Sequence, residues 1–468
     1  DDVLDRLPEL QAAGHRLEHL DTGAPLSELA AEPLAANAYL GAWGITAALR
    51  AGADVVVCGR VTDASLVVGP AAWWHDWATA DWDALAGAVV AGHVIECGPQ
   101  AAGGNFAGFT RLPRFVRPGF PIAEIAADGS SVITKHGTDE GAVTVDTVTA
   151  QLVYEIQGPV YLNPDVTVHL DTVEIGPAGP DRVALSAVRG TPPSPTTKVA
   201  IYAPLGFQTA LTTHLTGLDL DEKYDLLHAQ VREIAARLGI TELDVTRFGT
   251  AVADPHSQWE ATVPVRIAAA AAERGPLSAL ARELNGLGLS SIPGFMGAES
   301  AGPRPRTEYW PGLLPQDVLP HRTVLDDGSV LDVAPPAVTE AFTGQPSHPE
   351  PAPLATGETT RAPLGRVAFA RSGDKGGNSN LGVWTPDPAA WPWLRSLMTV
   401  DELRRLLPET KDLEIVRHEL PHLRAVHFVL KGLLGRAGSS NLRVDSIGKA
   451  VSEYARARVV EIPSELLP

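Results

Sequence analysis

From Thr343 to Pro363 the chain reads TGQPSHPEPAPLATGETTRAP, dense in Pro, Gly, Ser and Thr and almost free of large apolar side chains. A segment of that composition cannot bury a core and reads as a linker. It divides the 468 residues into a piece spanning 1–342 and a tail spanning 364–468, each long enough to fold. Two or three domains are the expectation for this length.

Within 1–342 the pattern changes near residue 145. Leu34 to Arg50 predicts a helix. After Ala51-Gly52 comes the apolar run Asp54-Val55-Val56-Val57-Cys58, read as a buried strand ending in Gly59-Arg60. A strand of that kind, entered from a helix, predicts a parallel sheet covered on both faces. A second helix starts near Asp81, an N-cap residue type, and runs to about Cys97. Beyond Val143 the expected strands are 143–149, 151–155, 166–173, 182–188 and 198–202, with helical stretches at 221–238 and 267–284. The expectation is therefore α/β, with a parallel-sheet N-terminal lobe (1–145) followed by an α+β lobe (146–342). The tail interleaves a strand at 366–371, a Gly/Asn-rich loop, strands at 381–384, 414–417, 425–430 and 459–462, and helices at 400–407 and 446–457. That order predicts a small ferredoxin-like α+β domain.

Charge and cysteine content narrow the function. With 37 Lys+Arg against 56 Asp+Glu the net charge is −19. A nucleic-acid surface needs clustered cations, so a small-molecule partner is expected and a nucleic acid is not. Local Arg, Lys and backbone N–H groups can still hold an anionic ligand. Two cysteines, Cys58 and Cys97, cannot staple a chain of this length and point to a reducing compartment. No apolar run reaches the roughly 18–20 residues of a membrane span. There is no basic-then-apolar leader, and the cytoplasm is the expected location. The chain opens on Asp1-Asp2, from which a start further upstream is expected.

Three segments carry chemistry. The first is Cys58-Gly59-Arg60-Val61-Thr62-Asp63 after the expected strand, where ligands bind in open α/β sheets. Arg60 offers a donor fork for a carboxylate or phosphate. Asp63 can orient Arg60, act as a base, or cap the next helix. In the second segment, helical spacing puts Leu85, Val89, His93 and Glu96 on one stripe. Burial raises a Glu pKa and lowers a His pKa, their attraction opposes both, and such a pair suits acid–base work near neutral pH. A hydrogen-bonded structural pair is the alternative. A His and Glu three apart can also share a metal, but no further ligand cluster accompanies them, and no metal is expected. Cys97 is more often inert packing than a nucleophile. The segment continues into Gly103, Gly104 and Asn105. The third segment is Arg371 to Asn380, RSGDKGGNSN, read as an anion-binding loop with Lys375 as a point charge beside Asp374, Gly376, Gly377 and Asn378. Its alternative is a tight connection whose glycines supply positive φ. Asn37 opens the first expected helix, as an anion site or, more simply, an N-cap. Trp73, Trp74, Trp77 and Trp82 read as packing or an interface.

These segments are where the chain resembles the acyclic terpene utilisation (AtuA) family. The matching stretches are NAYLGAWGITAALRAGADVVVCGRVTDASLVVGP (37–70), AGHVIECGPQAAGGNF (91–106), GFPIAEIAADGSSVITK (119–135) and VTVDTVTAQLVYEI (143–156). In the tail, ARSGDKGGNSNLGVW (370–384) and LPHLRAVHFVLKGLLGRAGSSNLRVDSIGK (420–449) resemble the family's C-terminal ferredoxin-fold module. The resemblance implies a further N-terminal segment of about a hundred residues, carrying glycine-rich loops. Where the family has a glycine-rich stretch after a Lys-Val pair, this chain reads KVAIYAPLGFQTALTTHL (198–215). It further implies a setting in the breakdown of branched and isoprenoid acids as coenzyme A thioesters.

Two readings follow. One is a lyase or hydratase acting on an acyl-CoA, with Glu96 or Asp63 as base, His93 as its partner and the glycine-rich loops as oxyanion or phosphate donors. No cofactor beyond the thioester substrate is expected, and a homo-oligomer is. The other is a non-catalytic acyl-CoA-binding or scaffold subunit of a multi-enzyme assembly, with the Trp cluster as a contact surface. A nicotinamide dehydrogenase is the weaker third, because no G-x-G-x-x-G follows a strand.

Overall fold

Antiparallel pairing organises this chain. The computed structural model describes residues 2–29, 31–355 and 357–467, so Thr356 of the expected linker and Asp1 lie outside the described residues. The largest sheet is built on one long strand, Thr196–Thr216, whose first half pairs with Ala35–Ala38 and Arg304–Pro315. Its second half pairs with Thr262–Ala271 and Met296–Ser300, and Glu242–Arg247 extends the sheet. Between the halves the register against Arg304–Pro315 shifts. Gly206 sits there at φ +85, with a Cβ position that would collide with the Ala271 carbonyl. A bulge at this point lets one strand serve two cores. Val199 and Ile201 join the core with Ala36, Trp310 and Leu314. Leu211 and Leu215 pack under the helices Leu220–Arg237 and Arg274–Gly286 through Leu227, Val231, Leu280 and Leu284. The departure in 198–215 thus covers most of the main strand, with the bulge at its middle.

A third core surrounds the helix Trp82–Ile95, buried at every position from Ala84 to Val94. A helix apolar all round belongs in an interior. It is wrapped by the helices Ser65–Trp74 and Val145–Leu152 and by two small antiparallel sheets. Among the described residues no helix is long and apolar enough to cross a membrane.

The expected parallel sheet is not found. Every ladder is antiparallel, and parallel pairing is confined to isolated bridges, Leu40–Val61 and Pro118–Glu140. The run 54–58 has no regular structure and is unpaired, with Val55 80% and Val57 91% exposed. An apolar β-branched run reads as a strand on its own, but a strand exists only with a partner, and no described residue supplies one. Four other expectations fail locally. Leu34 to Arg50 splits into the strand Ala35–Ala38 and the helix Trp43–Arg50. Asn37 pairs with Ala200 in that strand and does not cap a helix. The strands expected across 143–155 are replaced by the helix Val145–Leu152, started by a reciprocal capping box between Thr144 and Thr147. Local caps and burial against the central helix override the β-branched composition there. Finally, the helical stretch at 267–284 is strand up to Ala271 and helix only from Arg274.

In the tail the strands run in the order Phe369–Lys375, Asn378–Trp384, Ala425–Leu430, Ile415–Leu420. The helices Trp391–Leu397, Val400–Leu406 and Val451–Ala457 bury one face through Leu381, Val383, Val426 and Phe428. The last five residues of the expected linker are the strand Thr359–Pro363, paired with Val459–Pro463. Alternation along Asn378–Trp384 sends Asn380, Gly382 and Trp384 to the other face, onto the first piece. The Asn380 amide donates to the Val153 carbonyl at 2.7 Å and accepts the Glu155 N–H at 3.0 Å. A Cβ on Gly382 would lie 2.6 Å from Val153, and the Trp384 indole donates to Asp146 at 3.2 Å. Phe106, Phe369 and Trp384 complete the seam, with ring centroids 4.9 and 5.7 Å apart.

Asn380→Ala strands a buried N–H and a buried carbonyl, so a loss of about 1–3 kcal/mol is expected. Urea unfolding measures it, and an unchanged midpoint would refute the seam's role. A second expectation concerns acid. Burial pushes the fully buried His427 down to about 3, helped by His418. Burial likewise takes His418 to about 4, helped by the charges of His348 and Arg417. The unfolded imidazoles, at about 6.5, bind protons that the folded ones refuse. Stability from this pair is therefore complete above about pH 6.5. It drains away as pH falls through about 4 and about 3. Thermal melts across that range should show the decline, and His427→Gln should flatten it.

Candidate functional site

The central helix delivers the first two groups. Its last turn places His93 in the interior, fully buried, and Glu96 just beyond its end with 12% of its side chain exposed. His93 Nδ1 lies 3.5 Å from Glu96 Oε1, an ion-pair distance and no tight hydrogen bond. The Tyr161 ring packs on His93 at 5.3 Å. Burial presses the Glu96 carboxyl upward, but its contact with His93 and the charges of His93, Lys375 and Arg60 outweigh that and hold it below the ordinary carboxylate range. Its Oε2 is buried without a hydrogen-bond partner. Such orphans are rare in folded proteins and call for an explanation.

Gly92 brings this helix end to Ala64, the residue that follows the first segment. A Cβ there would lie 2.8 Å from Ala64 Cα, so only glycine allows the approach. Arg60 Nη2 meets Asp63 Oδ1 at 3.2 Å, both groups being well exposed. The guanidinium also lies 4.2 Å from the centroid of the Tyr39 ring. Tyr39 is gripped by backbone on both sides. Its N–H donates to Lys198 O at 2.8 Å, and its neighbour Leu40 bonds to Arg60 O and Thr62 N–H.

Lys198 is the group that sequence reasoning missed. Its Nζ lies 4.1 Å from the same Tyr39 ring. It has no hydrogen-bond or ion-pair partner among the described residues. Burial, then the positive charges of Lys375 and Arg60, push its ammonium down to about 7, against the pull of Asp63 and Glu155. A signal was present: Lys198 is the only Lys or Arg in Thr196–Thr216, and a lone cation in an apolar strand is rarely there for packing.

The third segment arrives from the ferredoxin-like domain, in a different form from the one expected. RSGDKGGNSN is no open loop. Its strands run to Lys375 and restart at Asn378, leaving only Gly376-Gly377 as the turn. Positive φ at Gly376 alone (+66) is the glycine-first pattern of a type II′ turn. The ladder absorbs most of the backbone N–H groups of the expected anion nest. Asn378 is structural, donating to Asp21 at 2.7 Å and accepting the Gly432 N–H at 2.9 Å. Burial and Glu155 raise the Asp374 carboxyl, against Lys375 and Lys449. What the turn does deliver is Lys375, whose Nζ stands 3.9 Å from Glu155 Oε2. Gly373 packs directly on Tyr154 and Glu155. Glu155, the second missed residue, has φ +51, a strained conformation for a side-chain-bearing residue, held by Asn380.

Gly103, Gly104 and Asn105 anchor the site. Gly103 closes a short helical turn at φ +111, and the Asn105 carbonyl accepts from Arg371, which also meets Gln100. Arg371 in turn lies 4.2 Å over the Tyr154 ring. Burial, then Glu96 and Glu155, push the Cys97 thiol up to about 11, so it stays protonated. Asn37 joins none of these contacts. Trp77 is buried, while Trp74 is 74% exposed. No group of three or more His, Cys, Asp or Glu among the described residues is placed to hold a metal ion. A cavity of about 30 Å³ near Asp165 and His321, lined also by Leu40 and Thr197, has room for a water and not for an acyl chain.

The three segments singled out in the sequence therefore meet, with Arg60 and Lys375 acting electrostatically on Glu96. The acyclic terpene utilisation family protein AtuA matches residues 1–325, and the AtuA ferredoxin-like domain matches 362–461. This chain belongs to the AtuA family. A search of curated proteins and of solved structures finds no match. The site of this AtuA protein draws on both matched regions, Lys375 coming from the second. Gly92→Ala should destabilise by about 1–3 kcal/mol through overpacking against Ala64. A calorimetric melt unchanged from wild type would show that the close approach is not required.

Proposed function

We propose that this AtuA protein is an enzyme of branched or isoprenoid acid metabolism that carries out lyase- or hydratase-type acid–base chemistry on an acyl-CoA. The observation that supports this reading is Glu96. It is a carboxylate held below its ordinary range, with one buried oxygen unpartnered, under the influence of two cations, Arg60 and Lys375, drawn from both matched regions. A carbon beside a thioester carbonyl is acidic enough to lose a proton to such a base. The C–H electron pair then passes to the carbonyl oxygen, where Arg60 and Lys375 stabilise the enolate charge. His93 holds Glu96 in place from behind, and Asp63 orients Arg60. Loss or gain of a β-hydroxyl completes an elimination or a hydration.

The test is incubation of the full chain with a panel of branched and isoprenoid acyl-CoAs, read by mass spectrometry of products and by thermal shift. Glu96→Gln should lower kcat by on the order of 10²–10⁴ while leaving the thermal shift in place. Binding without turnover in wild type would favour the carrier reading, and absence of binding would exclude a coenzyme A substrate.

A further inference from the structure

Lys198 does something the acid–base scheme does not require. Its Nζ is partly buried beside Tyr39 and makes no ion pair, although the carboxylates of Asp63 and Glu155 lie within reach of its field. Instead it is grouped with Arg60, which shares the Tyr39 ring, and with Lys375. Placing an amine beside other cations and out of water favours its neutral, nucleophilic form. The same two cations, Arg60 and Lys375, also act on Glu96. An amine and two anion-holding groups thus share the surroundings of the Tyr39 ring, and the same two cations reach a carboxylate base.

We propose that Lys198 is a carbonyl-trapping nucleophile, forming an imine with a ketone or aldehyde group of an anionic oxo-acid substrate whose carboxylate or thioester end lies against Arg60 and Lys375. The amine electron pair forms the C–N bond. The carbonyl oxygen leaves as water, carrying both amine protons, and the imine nitrogen takes one proton from solvent. Glu96 Oε2 then removes a proton from the carbon next to the iminium, the C–H pair becoming a C=C bond while the C=N π pair passes to nitrogen to give an enamine. No oxidant or reductant is needed. The iminium is a stronger electron sink than a thioester, so it opens elimination or carbon–carbon cleavage beside the carbonyl. This step rests on the same site but not on coenzyme A.

The test uses the full chain with acetoacetate and with 4-methyl-3-oxopentanoate, each in the presence of sodium cyanoborohydride, followed by peptide mass mapping. The expected result is one reduced adduct, on the peptide carrying Lys198, absent from Lys198→Met and from Lys198→Arg. Mapping of the wild-type adduct does not depend on either variant folding. No adduct, or one mapped to other lysines, overturns the proposal. The thioester reading stands or falls separately. Acyl-CoA turnover that persists in Lys198→Met, with no adduct in wild type, would remove the imine and keep the acid–base enzyme. An adduct with no acyl-CoA binding would do the reverse.

Discussion

The seam between the ferredoxin-like sheet and the segment 145–155 is the contact on which the site depends. A four-stranded antiparallel sheet covered on one face by its own helices leaves its other face in need of burial. Here that face meets the helix Val145–Leu152 and the backbone just after it. Asn380 performs two tasks at this point: it satisfies backbone groups that no secondary structure reaches, and it holds Glu155 at positive φ. Buried backbone groups must be paired, so the amide ties docking to site geometry. Lys375 stands at the tip of the same hairpin. It reaches Glu155 only when the domains are seated.

Charge in the site is arranged by unequal solvation. Glu96 is shielded from water, yet cations around it keep it ionised, whereas Lys198 is shielded among cations and tends toward neutrality. Two groups of opposite type are thereby displaced in their titration in the same direction, the carboxylate by its cationic neighbours and the amine by burial among cations. Exposed pairs such as Arg60–Asp63 gain little energy from contact in water. Their use here is orientation: Asp63 and the Tyr39 ring restrict where the Arg60 fork points. His93 contributes from the interior, where its ring is fixed by Tyr161 and the helix.

Much of the site could be read from the chain alone, and particular residues show why. His93 and Glu96 share a helical stripe, and a stripe is a local property, so their pairing was legible. Arg60 and Lys375 were legible as cations flanked by glycine. Lys198 was not, because a lysine in an alternating strand carries no sign of which neighbours it will meet. Glu155 was hidden by a segment whose Val and Thr content read as strand, although a Thr144–Thr147 capping box makes it helix. The anion loop misread a hairpin, since glycines at positive φ and glycines in a nest look identical in sequence.

Local chemistry determined the buried central helix, the ferredoxin-like tail, the boundary before it and the identity of most of the charged groups, because hydrophobic period and turn chemistry act over a few residues. Tertiary structure alone decided that the sheets are antiparallel, that 54–58 lies unpaired, and that Lys198, Tyr39 and Lys375 converge from positions far apart in the chain. Strand partnership and the electrostatic environment of a side chain are properties of neighbours distant in sequence. No local pattern encodes them.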